Sequence, residues 1–207
     1  MCKMRWQYVA LMLGAVLMLA ACGGGAKEPW TDTFDDEEGW ELSSDAVADV
    51  TMADGKMQIH ILLPGQVAWA SAGRSFRDAR IAVDATQVAG PLDNEYGVLL
   101  RMQGDDAFYA FSVSGDGYVR VARYQDEAWT VLGSDWTASE AVHQGAATNH
   151  LEIAAQGANF TFSVNGEQVA QVEDDALRRG DVGLYAGAFG EGGVVIAFDD
   201  LTVTPLP

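Results

Sequence analysis

The chain has 207 residues, and its 30 acidic residues against 12 lysines and arginines give a formal net charge of −18 at pH 7. A field of that sign repels phosphate backbones, so nucleic acid is excluded as a partner. Its two cysteines are Cys2 and Cys22, which leaves the chain beyond Cys22 without a disulfide and dependent on a core of its own.

The first elements in chain order belong to a leader. Lys3 and Arg5 form a short positive region, and Val9 to Ala21 is an apolar run with one glycine. That run is shorter than the roughly 20 residues that cross a bilayer. It matches the hydrophobic core of a secretory signal peptide over residues 1–21. The run closes on Leu19-Ala20-Ala21-Cys22, which resembles the lipobox of bacterial lipoproteins. The resemblance implies cleavage before Cys22 and acylation of its thiol, which makes membrane lipid the expected partner of that residue. Two or three acyl chains, at about 0.8 kcal/mol per buried methylene, give a stable anchor where one is marginal. The expected location is the outer face of the cell membrane or the outer membrane. Residues 22–29 then hold the lipidated cysteine and a flexible tether, and residues 30–207 are one domain of ordinary size.

Beyond the tether the pattern is all-β. Short apolar-alternating runs recur at Gln58 to Leu62, Tyr96 to Met102, Phe108 to Val113, Tyr118 to Tyr124, Leu151 to Ala155, Phe160 to Val164 and Gln168 to Val172, each reading as a strand. Asp54-Gly55, Asp116-Gly117 and Asn165-Gly166 supply the positive φ angles that tight hairpins need. Tyr96 to Trp136 reads as a four-strand meander. Its turns fall at Gly104-Asp105-Asp106, Ser114 to Gly117 and Asp126-Glu127. Thr137 to Thr148 lacks alternation and reads as a loop with room for one helical turn.

An ordered set of motifs carries a family resemblance. Thr33-Phe34-Asp35 and Gly39-Trp40 open the domain, and Tyr96-Gly97-Val98-Leu99-Leu100-Arg101 and Phe108-Tyr109-Ala110-Phe111 follow. Asp116-Gly117-Tyr118, Asn149-His150-Leu151-Glu152-Ile153 and Phe162-Ser163-Val164-Asn165-Gly166 come next. Gly180-Asp181-Val182-Gly183-Leu184 leads to the closing Phe198-Asp199-Asp200-Leu201-Thr202-Val203. Together they resemble the concanavalin A-like lectin/glucanase superfamily, near its laminin-G-like and glucanase-related branches. The resemblance implies a jelly-roll sandwich of two antiparallel sheets, with the termini paired in one sheet and a concave face that binds sugar. It also implies one structural calcium near the paired termini, for which Asp35 and Asp199 are the candidates. No other cofactor is expected.

Signs of catalysis are sparse. The Glu-x-Asp-x-x-Glu strand of the related glucanases, which sets two carboxylates about 5–5.5 Å apart on one face, is absent. His60, His143 and His150 are scattered. Sugar recognition has better candidates, because a pyranose stacks its C–H face on aromatic rings and offers hydroxyls to Arg and Asp. Trp69, Tyr96, Arg101, Tyr109, Tyr118, Arg120, Arg123, Trp129 and Trp136 lie in or beside the central strands. Alternation puts Gly97, Leu99 and Arg101 on one face and Tyr96, Val98 and Leu100 on the other. An Arg between two sheets is costly, so Arg101 and Arg120 are expected on the outer, concave face, with Tyr109 or Trp129 as a stacking surface.

The sequence thus favours a lipid-anchored, non-catalytic module for a glycan or other surface ligand. The alternatives are a glycosidase-related enzyme working in the concave cleft and a structural or adhesive protein-binding module. The anchor gives the first prediction. Cys22→Ser should abolish palmitate labelling and leave uncut precursor or released protein, and undiminished labelling would refute the lipobox assignment.

Overall fold

The computed structural model describes residues 28–207. The expected leader over residues 1–21 and Cys22, the expected site of lipid attachment, lie outside the described residues.

Two antiparallel sheets face each other. Sheet A runs in the order β13 (Glu167–Glu173), β12 (Asn159–Val164), β11 (Thr148–Gln156), β5 (Ala79–Ala89), β15 (Val194–Pro205), β3 (Lys56–Ile61) and β2 (Ala48–Ala53). β1 (Trp30–Asp32) adds to β15, pairing Trp30 with Val203. Sheet B runs in the order β10 (Thr137–Ala138), β8 (Tyr118–Gln125), β7 (Ala107–Val113), β6 (Asn94–Met102), β14 (Asp181–Ala188) and β4 (Val67–Ser71), with β9 (Ala128–Val131) on β8. Among the described residues there is no helix. This is the jelly-roll sandwich that the motif order implies, with both ends of the domain in one sheet.

The core lies between the sheets. Met57, Ile59 and Ile61 of β3, Ile81 and Val83 of β5, and Phe160 and Phe162 of β12 project inward from sheet A. Val98 and Leu100 of β6, Phe111 and Val113 of β7, and Leu184 of β14 meet them from sheet B. Sheet A has the period-two pattern of a sheet wetted on one side. Its outer face carries the ion pairs Arg80–Glu152 at 2.6 Å and Lys56–Asp199, together with a hydrogen bond between His150 Nδ1 and Asp84 Oδ1 at 2.6 Å.

Turn chemistry follows the sequence closely. Asp54-Gly55 and Asn165-Gly166 both have positive φ at each position, as do Asp126 and Glu127 between β8 and β9. In Asp116-Gly117 only Gly117 does. The Thr137–Thr148 segment contains the two-residue β10 and no helical turn. It is held by Asn149, which is fully buried. Asn149 Oδ1 accepts from the His143 N–H at 2.8 Å, and Nδ2 donates to the His143 carbonyl at 2.9 Å and to Tyr96 Oη at 3.1 Å.

β15 carries the closing motif. Phe198 is fully buried and Asp199 points outward. Asp200 then occupies a β-bulge with φ of 51°, where Asp199 pairs with Asp84 and Thr202 with Ala82. The extra residue returns Leu201 and Val203 to the core. Truncating Phe198 to Ala should lower unfolding free energy by about 3–5 kcal/mol in urea titration. The melting temperature should not respond to reductant, because residues 28–207 contain no cysteine.

Candidate functional site

The outer face of sheet B breaks the rule that sheet A obeys. Every residue of β7 is buried, and so are nearly all of β6 and β14. These strands carry apolar side chains on both faces, the pattern of a sheet whose outer side is covered. The second face bears its own apolar cluster of Leu99, Met102, Phe108, Ala110 and Tyr185, flanked by Trp69 and Tyr124.

The residues of this face stand in cross-strand rows. One row runs Trp69, Tyr185, Gly97, Ser112, Arg120 across β4, β14, β6, β7 and β8. Gly97 is the low point, and it has to be glycine. A Cβ there would lie 2.0 Å from the Phe111 carbonyl oxygen. The Tyr185 hydroxyl is hydrogen-bonded to Ser112 Oγ across the gap that this glycine leaves. The next row is Gly183, Leu99, Ala110 and Ala122, in which only Leu99 rises above a methyl group. Small residues make a floor, and larger ones rise at its edges.

Aromatic rings form the wall at one end. Phe108 stacks on Tyr124 with centroids 5.3 Å apart, and Trp129 meets Phe108 edge-on at 5.7 Å. Trp69 closes the opposite side, 6.2 Å from Phe108. The enclosed cleft is about 270 Å³, lined also by Val67, Leu99, Glu95, Asp105 and Tyr185. Trp129 remains 49% exposed, so a ring face is open to a ligand.

Two carboxylates reach this cleft. Asp105 Oδ1 accepts from Trp69 Nε1 at 3.3 Å. Glu95 lies deeper, with Oε2 3.5 Å from the Tyr185 hydroxyl. Burial pushes the Glu95 carboxyl above the usual range, against the opposing pull of Arg120 and the Tyr185 hydroxyl. Burial likewise raises Tyr185 well above an ordinary phenol, and the Glu95 charge adds to it.

The expected site residues divide. Trp69, Arg120 and Trp129 stand on the concave face. Tyr118 stands on it too, at the far end with Trp136. Arg101 and Tyr109 are corrections. Alternation along β6 fails at Arg101, which has φ of 54° in a bulge where Leu100 pairs with Val182 and Met102 with Asp181. The extra residue gives the outer face Met102 in place of Arg101. The Arg101 guanidinium is 1% exposed and plugs the sandwich end. It donates to the carbonyls of Arg77 at 3.1 Å and Leu177 at 2.8 Å and to Asp78 Oδ1 at 3.2 Å, and lies over Phe160. Its burial is satisfied by fixed acceptors, which removes the cost that argued for an outer position.

Tyr109 is fully buried between the sheets. Its hydroxyl donates to Asp174 Oδ1 at 2.6 Å and accepts the Leu177 N–H at 3.1 Å. Burial and the Asp174 contact push it up to about 12. It offers no stacking face. Tyr96 is in the core, and Arg123 pairs with Asp174.

Both calcium candidates have partners within the protein. Asp199 is paired with Lys56, and Asp35 Oδ2 accepts from Thr33 Oγ1 at 2.8 Å. Among the described residues no three His, Cys, Asp or Glu side chains gather as a metal site. Sequence reasoning missed Glu95, Leu99, Phe108, Tyr124 and Tyr185. Glu95 was legible as the residue two before Gly97 on the same face. The others needed the register between strands.

With this geometry established, comparison with known proteins adds the family. The sequence model of the 3-keto-alpha-glucoside-1,2-lyase-like domain matches residues 29–204. The chain belongs to this family. No curated protein matches the chain. Among solved structures, the 3-keto-alpha-glucoside-1,2-lyase-like domain is similar to carbohydrate-binding module CBM66 from Bacillus subtilis, with a TM-score of 0.67 and 16% identity over 80% of this chain and 95% of that one. It is also similar to the transglycosylase Crh5, at TM-score 0.62 and 13% identity over 88% and 86% of the two chains. A third similarity is to a galectin-like protein from Bacillus subtilis, at TM-score 0.62 and 11% identity over 84% and 94%. These similarities support the concanavalin A-like fold.

The correction at Arg101 and the burial of Glu95 each give a prediction. Arg101→Ala should destabilise the domain by about 3 kcal/mol or more, since it empties the space of a fully buried side chain and removes the donor to two carbonyls and to the partly buried Asp78 carboxylate. Arg120→Ala should change stability by less than about 1 kcal/mol. A raised Glu95 pKa means that its protonated form favours the folded state, and that contribution is lost as pH rises through the folded-state value. Melting curves should therefore show Glu95→Gln gaining on the parent toward neutral pH and matching it below about pH 4.

Proposed function

We propose that the protein is a lipid-anchored surface module that holds a saccharide in the concave cleft of sheet B without breaking it. The observation that carries this is the aromatic wall of Trp69, Phe108, Tyr124 and Trp129 around a cleft lined between them by Leu99 and Tyr185. A flat, weakly polar C–H face fits such a wall, and its hydroxyls can reach Glu95, Asp105 and Arg120 at the edges. Non-catalytic binding is favoured by the carboxylates. Retaining glycoside hydrolysis needs two of them facing across the bond, and Asp105 is engaged at the rim with Trp69. Attachment through Cys22 would present the cleft at the membrane surface.

A second reading is enzymatic, and one observation favours it. Glu95 is a desolvated carboxyl inside the cleft with a raised pKa, the property of a general acid or base. The family's name describes a lyase acting on 3-keto-α-glucosides. An elimination of that kind takes the proton from the carbon beside the ketone, breaks the C1–O bond and returns a proton to the leaving oxygen, and Glu95 could carry that proton.

Glycan-array screening of the full chain in a non-glycosidic detergent tests the first reading, with Trp129→Ala expected to weaken retention about tenfold. No retention by the folded parent would refute it. Retention without product on prolonged incubation separates binding from catalysis. Turnover that vanishes in Glu95→Gln while retention persists would establish the second reading instead.

A further inference from the structure

A second aromatic hollow lies at the opposite end of the same face. It is bounded by Tyr118, Trp136 and Phe189, with Ser114, Asp93 and Asp116 at its edges, and is about 220 Å³. Trp136 and Phe189 meet edge-on with centroids 6.0 Å apart. Tyr118 is 39% and Phe189 36% exposed, so both rings are open to a ligand.

The two hollows lie on one strand face. Tyr118, Arg120, Ala122 and Tyr124 alternate onto the same face of β8, whose register with β7 is unbroken. From Tyr118 to Tyr124 is about 20 Å of strand, at roughly 3.3 Å per residue. That is several times the width of a sugar ring. Arg120 stands between the ends, its guanidinium carbon 5.8 Å from the Trp129 ring and 5.8 Å from the Trp136 ring. Its Nε lies 3.3 Å from Asp135 Oδ1 without hydrogen-bond alignment, and among the described residues that buried N–H has no hydrogen-bond partner. The face carries aromatic rings at both ends and hydrogen-bonding groups at its waist, where Arg120, Glu95 and the Ser112–Tyr185 pair lie.

We propose that the Tyr118–Trp136–Phe189 hollow is a second sugar subsite, so that the ligand is a neutral oligosaccharide lying across Arg120 and not a single sugar. The proposal rests on the saccharide reading above and deepens it. Alternating apolar faces and hydrogen-bonding links are the pattern of a glycan chain. Its C–H faces would stack at the two ends, while the oxygens around a glycosidic link meet the donors of the waist. Charge selects the class. Asp93, Asp105, Asp116 and Asp135 surround the groove against one central cation, so uronate or sulfated chains are repelled.

The test is calorimetric titration of the full chain, in non-glycosidic detergent, with malto-, cello- and chito-oligosaccharide ladders from monosaccharide to hexasaccharide. In the ladder that binds, affinity should rise about tenfold or more with length. Phe189→Ala and Trp136→Ala should each remove that gain while leaving the weak monosaccharide affinity unchanged, whereas Trp129→Ala should weaken every length. Phe189 is exposed, so its variant decides if Trp136→Ala fails to fold. Affinity independent of length, or a length gain that survives Phe189→Ala, overturns the second subsite while the saccharide reading stands. Equal affinity for oligogalacturonate overturns the neutral selection. No binding by any ladder overturns both the reading and the subsite.

Discussion

Strands β6, β7 and β14 must satisfy two apolar environments at once, and the rest of the domain is arranged around that demand. Their inward side chains complete the sandwich core, while Leu99, Phe108 and Tyr185 build a second cluster on the opposite face. A sheet with that composition cannot lie open to water without a large apolar patch. The protein limits exposure with a low floor and raised edges. Gly97, Gly183, Ala110 and Ala122 keep the centre shallow, and Trp69, Trp129 and Tyr124 stand around it. The hydrogen bond between Tyr185 and Ser112 across Gly97 fixes the middle of this surface. Tyr185 thereby packs on backbone where another side chain would leave only a polar gap.

The end of the sandwich depends on a different device. Arg101 leaves the strand alternation through a bulge, and Gly180 makes room for it. A Cβ at Gly180 would meet the Arg101 carbonyl carbon at 2.3 Å. The displaced guanidinium then gathers Asp78 and the carbonyls of Arg77 and Leu177. Nearby, Tyr109 and Arg123 both reach Asp174. Burial works against the Asp174 charge, but hydrogen bonds from Tyr109, the Ala176 N–H and Arg123 outweigh it and hold its pKa low. These polar residues tie the loop after β13 to both sheets, which explains why the two most sugar-like candidates on β6 and β7 are structural.

Much of the fold was legible because hairpins are local. Asp54-Gly55 and Asn165-Gly166 fix turn geometry within two residues, and the strands beside them follow. β5 was not singled out, although it alternates over Ala79–Ala89 and joins β11 to β15. Its inward positions include Ala79 and Ala85, whose small side chains weaken the periodic signal that Ile81 and Val83 carry. The same weakness hid β4, where Ala68 and Ala70 face the core. On the concave face, Trp69, Arg120 and Trp129 were legible from residue type and strand position. Arg101 was misplaced because one left-handed residue reverses every later side chain, and nothing about an arginine marks a bulge. Phe108 and Tyr124 come together only through the register of β7 on β8, which a single sequence does not display.

What separates holding a sugar from breaking it is the environment of Glu95. Its carboxyl is desolvated by burial in the cleft, and that burial raises its pKa. Arg120 opposes that rise and keeps a cation within reach of the carboxylate. A proton carrier so placed could assist chemistry at a bound sugar, or could simply donate or accept a hydrogen bond from a hydroxyl. Hydrolysis with retention asks for a second carboxylate across the bond, and Asp105 stands at the rim in contact with Trp69. Elimination asks for only one base, but it also requires a substrate whose proton is already acidic. The binding proposed for the groove uses features that do not depend on substrate activation, namely the rings at its ends and the cation at its waist. Any catalytic use of Glu95 would depend on the chemistry that the sugar brings with it.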